Sequence, residues 1–286
     1  MRNVPRTLSL LLAVLGLVVG ASVPALAEGR ADKVQPLAQA HAHNDYEHER
    51  PLLDALDHGF TSVESDIYLE DDQLLVGHDP EDLAPERNLR ALYLEPLRER
   101  VLANGGTVYP GERARFQLLI DIKNTGEDTY LALDEVLRDP RYGFLFSHYE
   151  NGEVTHGPIT VAISGDRPRE LMEQQESRYA FYDGRIADED DLGPGSDPGL
   201  TPLVSENWTE LFSWNGSGAM PEDERAELHE IVSTAHQAGQ RVRFWATPDD
   251  KGAEREAVWR ALVDAGVDHI NTDDLAGLRD FLTARG

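Results

Sequence analysis

Val63-Glu64-Ser65-Asp66-Ile67 and Leu118-Leu119-Ile120-Asp121-Ile122-Lys123 are two short runs built the same way. Each reads as a β-strand, in which successive side chains point to opposite faces. Glu64 and Asp66 then share one face, against Val63, Ser65 and Ile67, and Asp121 shares a face with Lys123. Acids on one face of otherwise apolar strands suit the C-terminal ends of parallel barrel strands, where reactive groups collect.

Around these runs, short apolar strands alternate with amphipathic helices. Strands are expected at 37–43, 62–69, 116–123, 144–148, 159–164, 179–182, 203–205, 242–246 and 269–271. Helices are expected at 51–58, 92–104, 129–138, 167–175, 222–238, 254–265 and 275–284. This alternation predicts an α/β fold, a (β/α)8 TIM barrel, with a doubly wound open sheet as the alternative. Nine strands are one more than a barrel needs, so one of them is an added hairpin or no strand at all. Gly239 and Gly266 each follow a helical pattern, at the position where a left-handed cap is expected. Residues 183–202, rich in Gly, Pro and Asp, read as a long loop over one barrel mouth. No Gly-rich phosphate loop follows a strand.

The beginning of the chain reads differently. Arg2 and Arg6 precede an apolar run from Leu8 to Val19, and Ala25-Leu26-Ala27 has the form of a cleavage site. This predicts a signal peptide over 1–27, a single barrel domain over 28–286 and a secreted, extracellular protein with no stable membrane anchor after cleavage. The chain has no cysteine, so export would bring no disulfides. With 26 basic and 53 acidic residues its formal charge is −27, which argues against a nucleic-acid partner.

Two inward carboxylates on one strand repel each other and are costly to bury, a cost that a divalent cation removes. Oxygen donors favour Ca²⁺ or Mg²⁺. Glu64, Asp66 and Asp121 are the candidate ligands, and Lys123 is placed to meet a phosphate oxygen. Leu74-Leu75-Val76-Gly77-His78-Asp79-Pro80 adds a histidine after a short apolar strand, and Ala40-His41-Ala42-His43-Asn44-Asp45-Tyr46 ends the first strand with two more. Two histidines flanking a phosphoryl group serve as general base and general acid. The order of these residues along successive strand ends carries the reading, since each alone is a common surface or core residue.

This set resembles the superfamily of glycerophosphodiester phosphodiesterases and phosphatidylinositol-specific phospholipases C. Val63-Glu64-Ser65-Asp66 resembles its E-x-D metal pair, Gly77-His78-Asp79-Pro80 its second catalytic histidine, and Ile120-Asp121-Ile122-Lys123 its third metal carboxylate with a phosphate-side lysine. Phe244-Trp245-Ala246-Thr247 resembles the seventh-strand aromatic segment, making Trp245 a possible substrate platform, and 267–273 resembles the closing strand. The likeness runs from about 38 to 278; about 140 to 235 carries no matching motif. Glycerophosphodiesterases usually show H-R-G on the first strand, whereas this chain has His43-Asn44, closer to the phospholipase C branch. H-x-H-N-D-Y also resembles the branch that includes the altered-inheritance-of-mitochondria protein six group. The resemblance implies His43 and His78 as catalytic histidines, with His41 as the alternative to His43, and Asn44 as a possible metal ligand. It implies one divalent cation, Ca²⁺ or Mg²⁺, and a small-molecule or lipid phosphodiester substrate, a glycerophosphodiester or a phospholipid head group, cleaved by hydrolysis or cyclisation. Two other readings stand beside it: a zinc amidohydrolase using His41, His43 and Asp273, with His148 as a further ligand, and a barrel that binds without turnover.

Overall fold

The computed structural model describes Met1 and residues 34–285, apart from Arg113 and Glu189. The expected signal peptide, Met1 aside, lies outside the described residues. Among the described residues no helix is long and apolar enough to cross a membrane.

The elements run in chain order as β1 (Leu37–Ala42), α1 (Leu53–Asp57), β2 (Phe60–Glu70), β3 (Gln73–Val76), α2 (Glu95–Ala103), β4 (Phe116–Ile122), α3 (Gly126–Arg138), β5 (His148–Glu150), β6 (Glu153–Thr155) and β7 (Ile159–Gly165). They continue as α4 (Arg169–Gln174), β8 (Ser177–Arg178), β9 (Phe181–Arg185), β10 (Leu203–Asn207), α5 (Trp208–Leu211), α6 (Glu222–Gln237), β11 (Arg241–Trp245), α7 (Ala253–Ala265), β12 (His269–Thr272) and α8 (Leu275–Thr283). Eight strands lie parallel in the order β1-β2-β4-β7-β9-β10-β11-β12, and β12 pairs back onto β1. The sheet closes, so the fold is a (β/α)8 barrel and not an open doubly wound sheet. β3 extends it as an antiparallel partner of the long β2 and delivers Gly77-His78 back to the mouth.

The main core lies outside the barrel wall, where Val63, Ile67, Leu118, Ile120, Val161, Ile163, Val204, Val242, Phe244 and Ile270 are buried under the helices. Inside, Leu119, Ala162 and Leu203 form a separate small apolar cluster. The other inward positions are polar. Arg241 donates to Gln117 Oε1 (2.7 Å), Gln117 to Ser62 Oγ (3.0 Å), and Ser62 Oγ meets His41 Nδ1 at 2.7 Å. Inward-facing polar side chains are tolerated there because each finds a partner. Gly239 and Gly266 take φ of 78° and 85° at the ends of α6 and α7, the left-handed cap expected from sequence.

One sequence expectation is corrected. Residues 144–148 are no barrel strand. Gly143–Leu145 is a tight turn, Phe146 makes one bridge to Ile159, and His148 opens the β5–β6 hairpin at the N-terminal end of the barrel. Leu145 and Phe146 are buried by packing the turn on the core, so their apolarity needs no strand. The loop after β9 lies with its end, Pro198, Gly199 and Pro202, at the N-terminal mouth of the barrel. Its start reaches the other end, Ala187 N–H donating to Glu206 Oε2. The rest takes the place of a crossover helix: Gln240, just before β11, donates to the carbonyls of Asp191 and Thr201 and accepts from Gly193 N–H. This one buried amide pairs three backbone groups of the loop, and turns within the loop pair others, such as Leu192 N–H on Asp188 O and Leu200 N–H on Asp197 O.

Candidate active site

The C-terminal ends of β1, β2, β4, β11 and β12, with the segment after β3, bring the predicted residues together. Asp66 and Asp121 are direct neighbours across the β2–β4 pairing. Lys123 Nζ lies between them, 2.9 Å from Asp66 Oδ2 and 3.3 Å from Asp121 Oδ1. Burial opposes the Lys123 charge, but the two carboxylates raise its pKa above the usual lysine value. Burial first, and the neighbouring Glu64 next, push Asp66 up to about 6, and burial raises Asp121 as well. Burial also works against Glu64, but Arg243 and the two histidines of β1 outweigh it and hold that carboxyl well below its ordinary value. Glu64 Oε2 lies 3.3 Å from Arg243 Nη2, 3.5 Å from His41 Nε2 and 3.9 Å from His43 Nε2.

The three histidines fall into different settings. His41 is fully buried, and burial, then Arg243, lower its pKa to about 4. His43 is partly exposed, with Nδ1 2.8 Å from Asp273 Oδ1. Burial lowers its pKa, but the Asp273 bond and the Glu64 charge prevail and raise it. The His78 side chain is 52 % exposed, and its Nδ1 lies 3.2 Å from Asp66 Oδ2. In both His43 and His78, Nδ1 is therefore anchored by a carboxylate, and Nε2 of His43 lies 3.9 Å from Glu64 Oε2.

Tyr46 connects the two sides. Its hydroxyl lies 2.7 Å from Asp66 Oδ2, 2.9 Å from Asn44 Oδ1 and 3.1 Å from His78 Nδ1, and Asn44 Nδ2 reaches His43 Nδ1 at 3.0 Å. Asn44 takes a left-handed backbone (φ 46°), a conformation that Asn tolerates better than most residues. Asp45 turns away from the mouth, accepting from Leu52 N–H (2.6 Å) and the Tyr93 hydroxyl (2.9 Å). Tyr46 and Asp273 are the participants that the sequence left without a role in the phosphodiester site; Arg243 read from sequence only as a weaker candidate to meet a phosphate. The sequence signal was adjacency: Tyr46 follows His43-Asn44, Arg243 alternates with Trp245, and Asp273 ends the last strand. Trp245 is half-buried on the same face of β11 as Arg243, toward the mouth. A cavity of about 390 Å³ opens beside His78 and Tyr46.

Among the described residues no group of three or more His, Asp or Glu side chains is spaced to hold a metal ion as it stands. The donor chemistry nevertheless suits a hard cation. Asp66 Oδ1 is buried without a hydrogen-bond partner, and Asp66 and Asp121 already converge on one cation, the Lys123 ammonium.

The family model described as the AIM6-like phosphodiesterase domain matches residues 30–183. The chain belongs to this family. A second model, the glycerophosphoryl diester phosphodiesterase family, matches residues 241–276, the β11–β12 side of the mouth. Altered inheritance of mitochondria protein 6 of Eremothecium gossypii is 30% identical over 275 residues, covering 87% of this chain and 70% of its own. The altered inheritance of mitochondria protein 6 homolog of Arthroderma benhamiae is 27% identical over 263 residues, covering 84% and 82%. Among solved structures, a glycerophosphoryl diester phosphodiesterase from Parabacteroides distasonis superposes with a TM-score of 0.49 at 15% identity, covering 89% of this chain and 88% of that one. The motifs on which the sequence resemblance rests, H-x-H-N-D-Y, E-x-D and G-H-D-P, meet at the mouth.

Proposed function

We propose that this member of the family is a secreted, metal-dependent phosphodiesterase that cleaves a glycerophosphodiester or a phospholipid head group with His43 and His78 as its acid–base pair. The observation that carries this reading is the pair of anchored histidines, His43 on Asp273 and His78 on Asp66, with Asn44 donating to Asp273 Oδ1 and Tyr46 lying between Asn44 and His78. A carboxylate on Nδ1 fixes ring orientation and tautomer and stabilises the charge that forms when Nε2 takes a proton. One histidine takes a proton from the attacking hydroxyl, which belongs to water or to the substrate itself; the other returns one to the leaving oxygen. His43 is preferred to His41, whose burial and lowered pKa keep it neutral and away from substrate. Asn44 is assigned to the hydrogen-bond chain, since its Oδ1 already accepts from Tyr46.

Glu64, Asp66 and Asp121 would hold one divalent cation, Ca²⁺ or Mg²⁺. When bound, it would stabilise negative charge on the phosphoryl oxygens. Lys123 and Arg243 supply further positive charge at that place, and Trp245 offers an aromatic wall for the alcohol portion. Export is supported by the charged, apolar and A-x-A segments of residues 1–27.

The zinc amidohydrolase reading loses support. His148 stands on the hairpin at the far end of the barrel, stacked on Tyr179, and cannot join His41 and His43. Purified protein should cleave bis(p-nitrophenyl) phosphate or glycerophosphodiesters, lose activity in EDTA and regain it with Ca²⁺ or Mg²⁺. Stoichiometric zinc with no phosphodiester turnover would overturn the proposal.

A further inference from the structure

The opposite end of the barrel holds a second cavity, of about 490 Å³. That is within the range of small-molecule sites. Its walls come from the first residues of the barrel strands, the β5–β6 hairpin and the end of the loop before β10. Arg115, Arg241 and His156 line it together with the apolar side chains of Val154, Phe181 and Pro202. Among the described residues no acidic side chain lines it. In a chain of formal charge −27 this is not an average piece of surface.

Arg241 is half-buried and makes its bonds to Gln117 Oε1 (2.7 Å) and His269 Nε2 (3.1 Å). Both partners are neutral, since burial, with Arg241 next, drives the His269 pKa far down. Two of the five guanidinium N–H donors are thus used without compensating the charge. Burial lowers the Arg241 pKa, Asp268 partly offsets this, and Arg115 lowers it again. Among the described residues neither Arg115 nor Arg241 has a carboxylate within ion-pair distance. A half-buried guanidinium with no carboxylate in ion-pair contact, beside the exposed Arg115, is matched by an oxyanion, which takes its N–H groups as a fork. The apolar wall formed by Phe181, Val154 and Pro202 asks for more than a bare inorganic ion.

The cavity is separate from the catalytic mouth. Leu119, Ala162 and Leu203 fill part of the barrel between the two ends, and the Gln117–Ser62–His41 hydrogen bonds fill more of it. We propose that the N-terminal end of the barrel is a binding site for a small organic anion, its oxyanion head on Arg241 and Arg115 and its apolar body against Phe181 and Val154.

Crystals soaked in para-bromobenzenesulfonate test this, with the uncharged para-bromobenzenesulfonamide as control. The bromine anomalous signal is expected beside Phe181, with sulfonate oxygens on Arg241 and Arg115, and not for the sulfonamide. In solution, calorimetry with the sulfonate should show affinity falling about tenfold or more in Arg115→Gln, the loss of a charge-assisted contact. Phosphodiester turnover by that variant should stay at the wild-type level. Bromine only at the catalytic mouth, equal binding of the neutral control, or unchanged affinity in Arg115→Gln would each overturn the proposal.

Discussion

Replacing Tyr46 by Phe removes one oxygen atom from the centre of the site. The ring is 2 % exposed, so Phe keeps its packing while three neighbours lose a partner. Asp66 Oδ2 loses a contact of 2.7 Å but keeps Lys123 at 2.9 Å and His78 at 3.2 Å. His78 Nδ1 loses the hydroxyl at 3.1 Å, and Asn44 Oδ1 loses it at 2.9 Å. A hydrogen bond to a charged group contributes about 1.5–3 kcal/mol. If that contribution is exerted in the transition state, kcat/KM falls roughly ten- to a hundred-fold. The loss should fall mainly on kcat, because Tyr46 is buried and holds His78 instead of the substrate. Steady-state kinetics on bis(p-nitrophenyl) phosphate, with thermal melts as control, measure it. A cycle with His78→Ala adds a second check: the double variant should be scarcely worse than His78→Ala alone, because the two act as a unit. A Tyr46→Phe enzyme within about twofold of wild type, or fully additive effects, would refute the hydrogen-bonded link as a working part of the site.

Other outcomes follow from the same geometry. Asp273→Asn should lower kcat/KM by roughly tenfold or more, as its carboxylate anchors His43 Nδ1 at 2.8 Å. It should also move the limb of the pH–rate profile that belongs to His43 to lower pH, since the Asp273 bond helps raise that pKa. Asp45 has a pKa raised from 3.8 to about 7, chiefly by burial, so the folded state holds its proton more tightly than the unfolded state. Its contribution to stability is therefore undiminished below about pH 4 and declines as pH rises toward about 7, by on the order of a few kcal/mol. Urea melts of wild type and Asp45→Asn should differ in that slope, and parallel pH profiles would contradict the assignment. Leu119→Ala, in the small cluster inside the barrel, should cost roughly 2–5 kcal/mol of stability in denaturant melts while leaving the order of the mouth residues intact.

The parts of the site legible in the sequence were those set by strand periodicity. Glu64 and Asp66, and Asp121 and Lys123, share faces because alternation fixes which way they point, and a closed parallel sheet puts β2 and β4 side by side. His78 was legible because a short apolar strand delivers it back to the same end. The choice between His41 and His43 was not, because both point inward; what separates them is depth, and depth follows from where the register with β2 and β12 ends. Tyr46 escaped because Asn44 turns the chain through a left-handed residue, and periodicity stops at that point. Residues 144–148 misled because apolar residues report burial without saying which surface they pack against, and they pack as a turn on the core. Gly, Pro and Asp marked the loop after β9 as a loop but not which end of the barrel it meets; it packs around Gln240 and its end lines the N-terminal mouth.

The proposed chemistry is cleavage of a phosphodiester at this mouth by two carboxylate-anchored histidines. The most direct measurement is turnover of bis(p-nitrophenyl) phosphate and a glycerophosphodiester panel by wild type, His41→Ala, His43→Ala and His78→Ala, each checked for fold by circular dichroism. Turnover by the wild-type protein is expected to fall by roughly a hundred-fold or more in His43→Ala and in His78→Ala, each folded as wild type, with His41→Ala less impaired than either. No phosphodiester turnover by wild type with Ca²⁺ or Mg²⁺ present, or full turnover by either His43→Ala or His78→Ala, would contradict it.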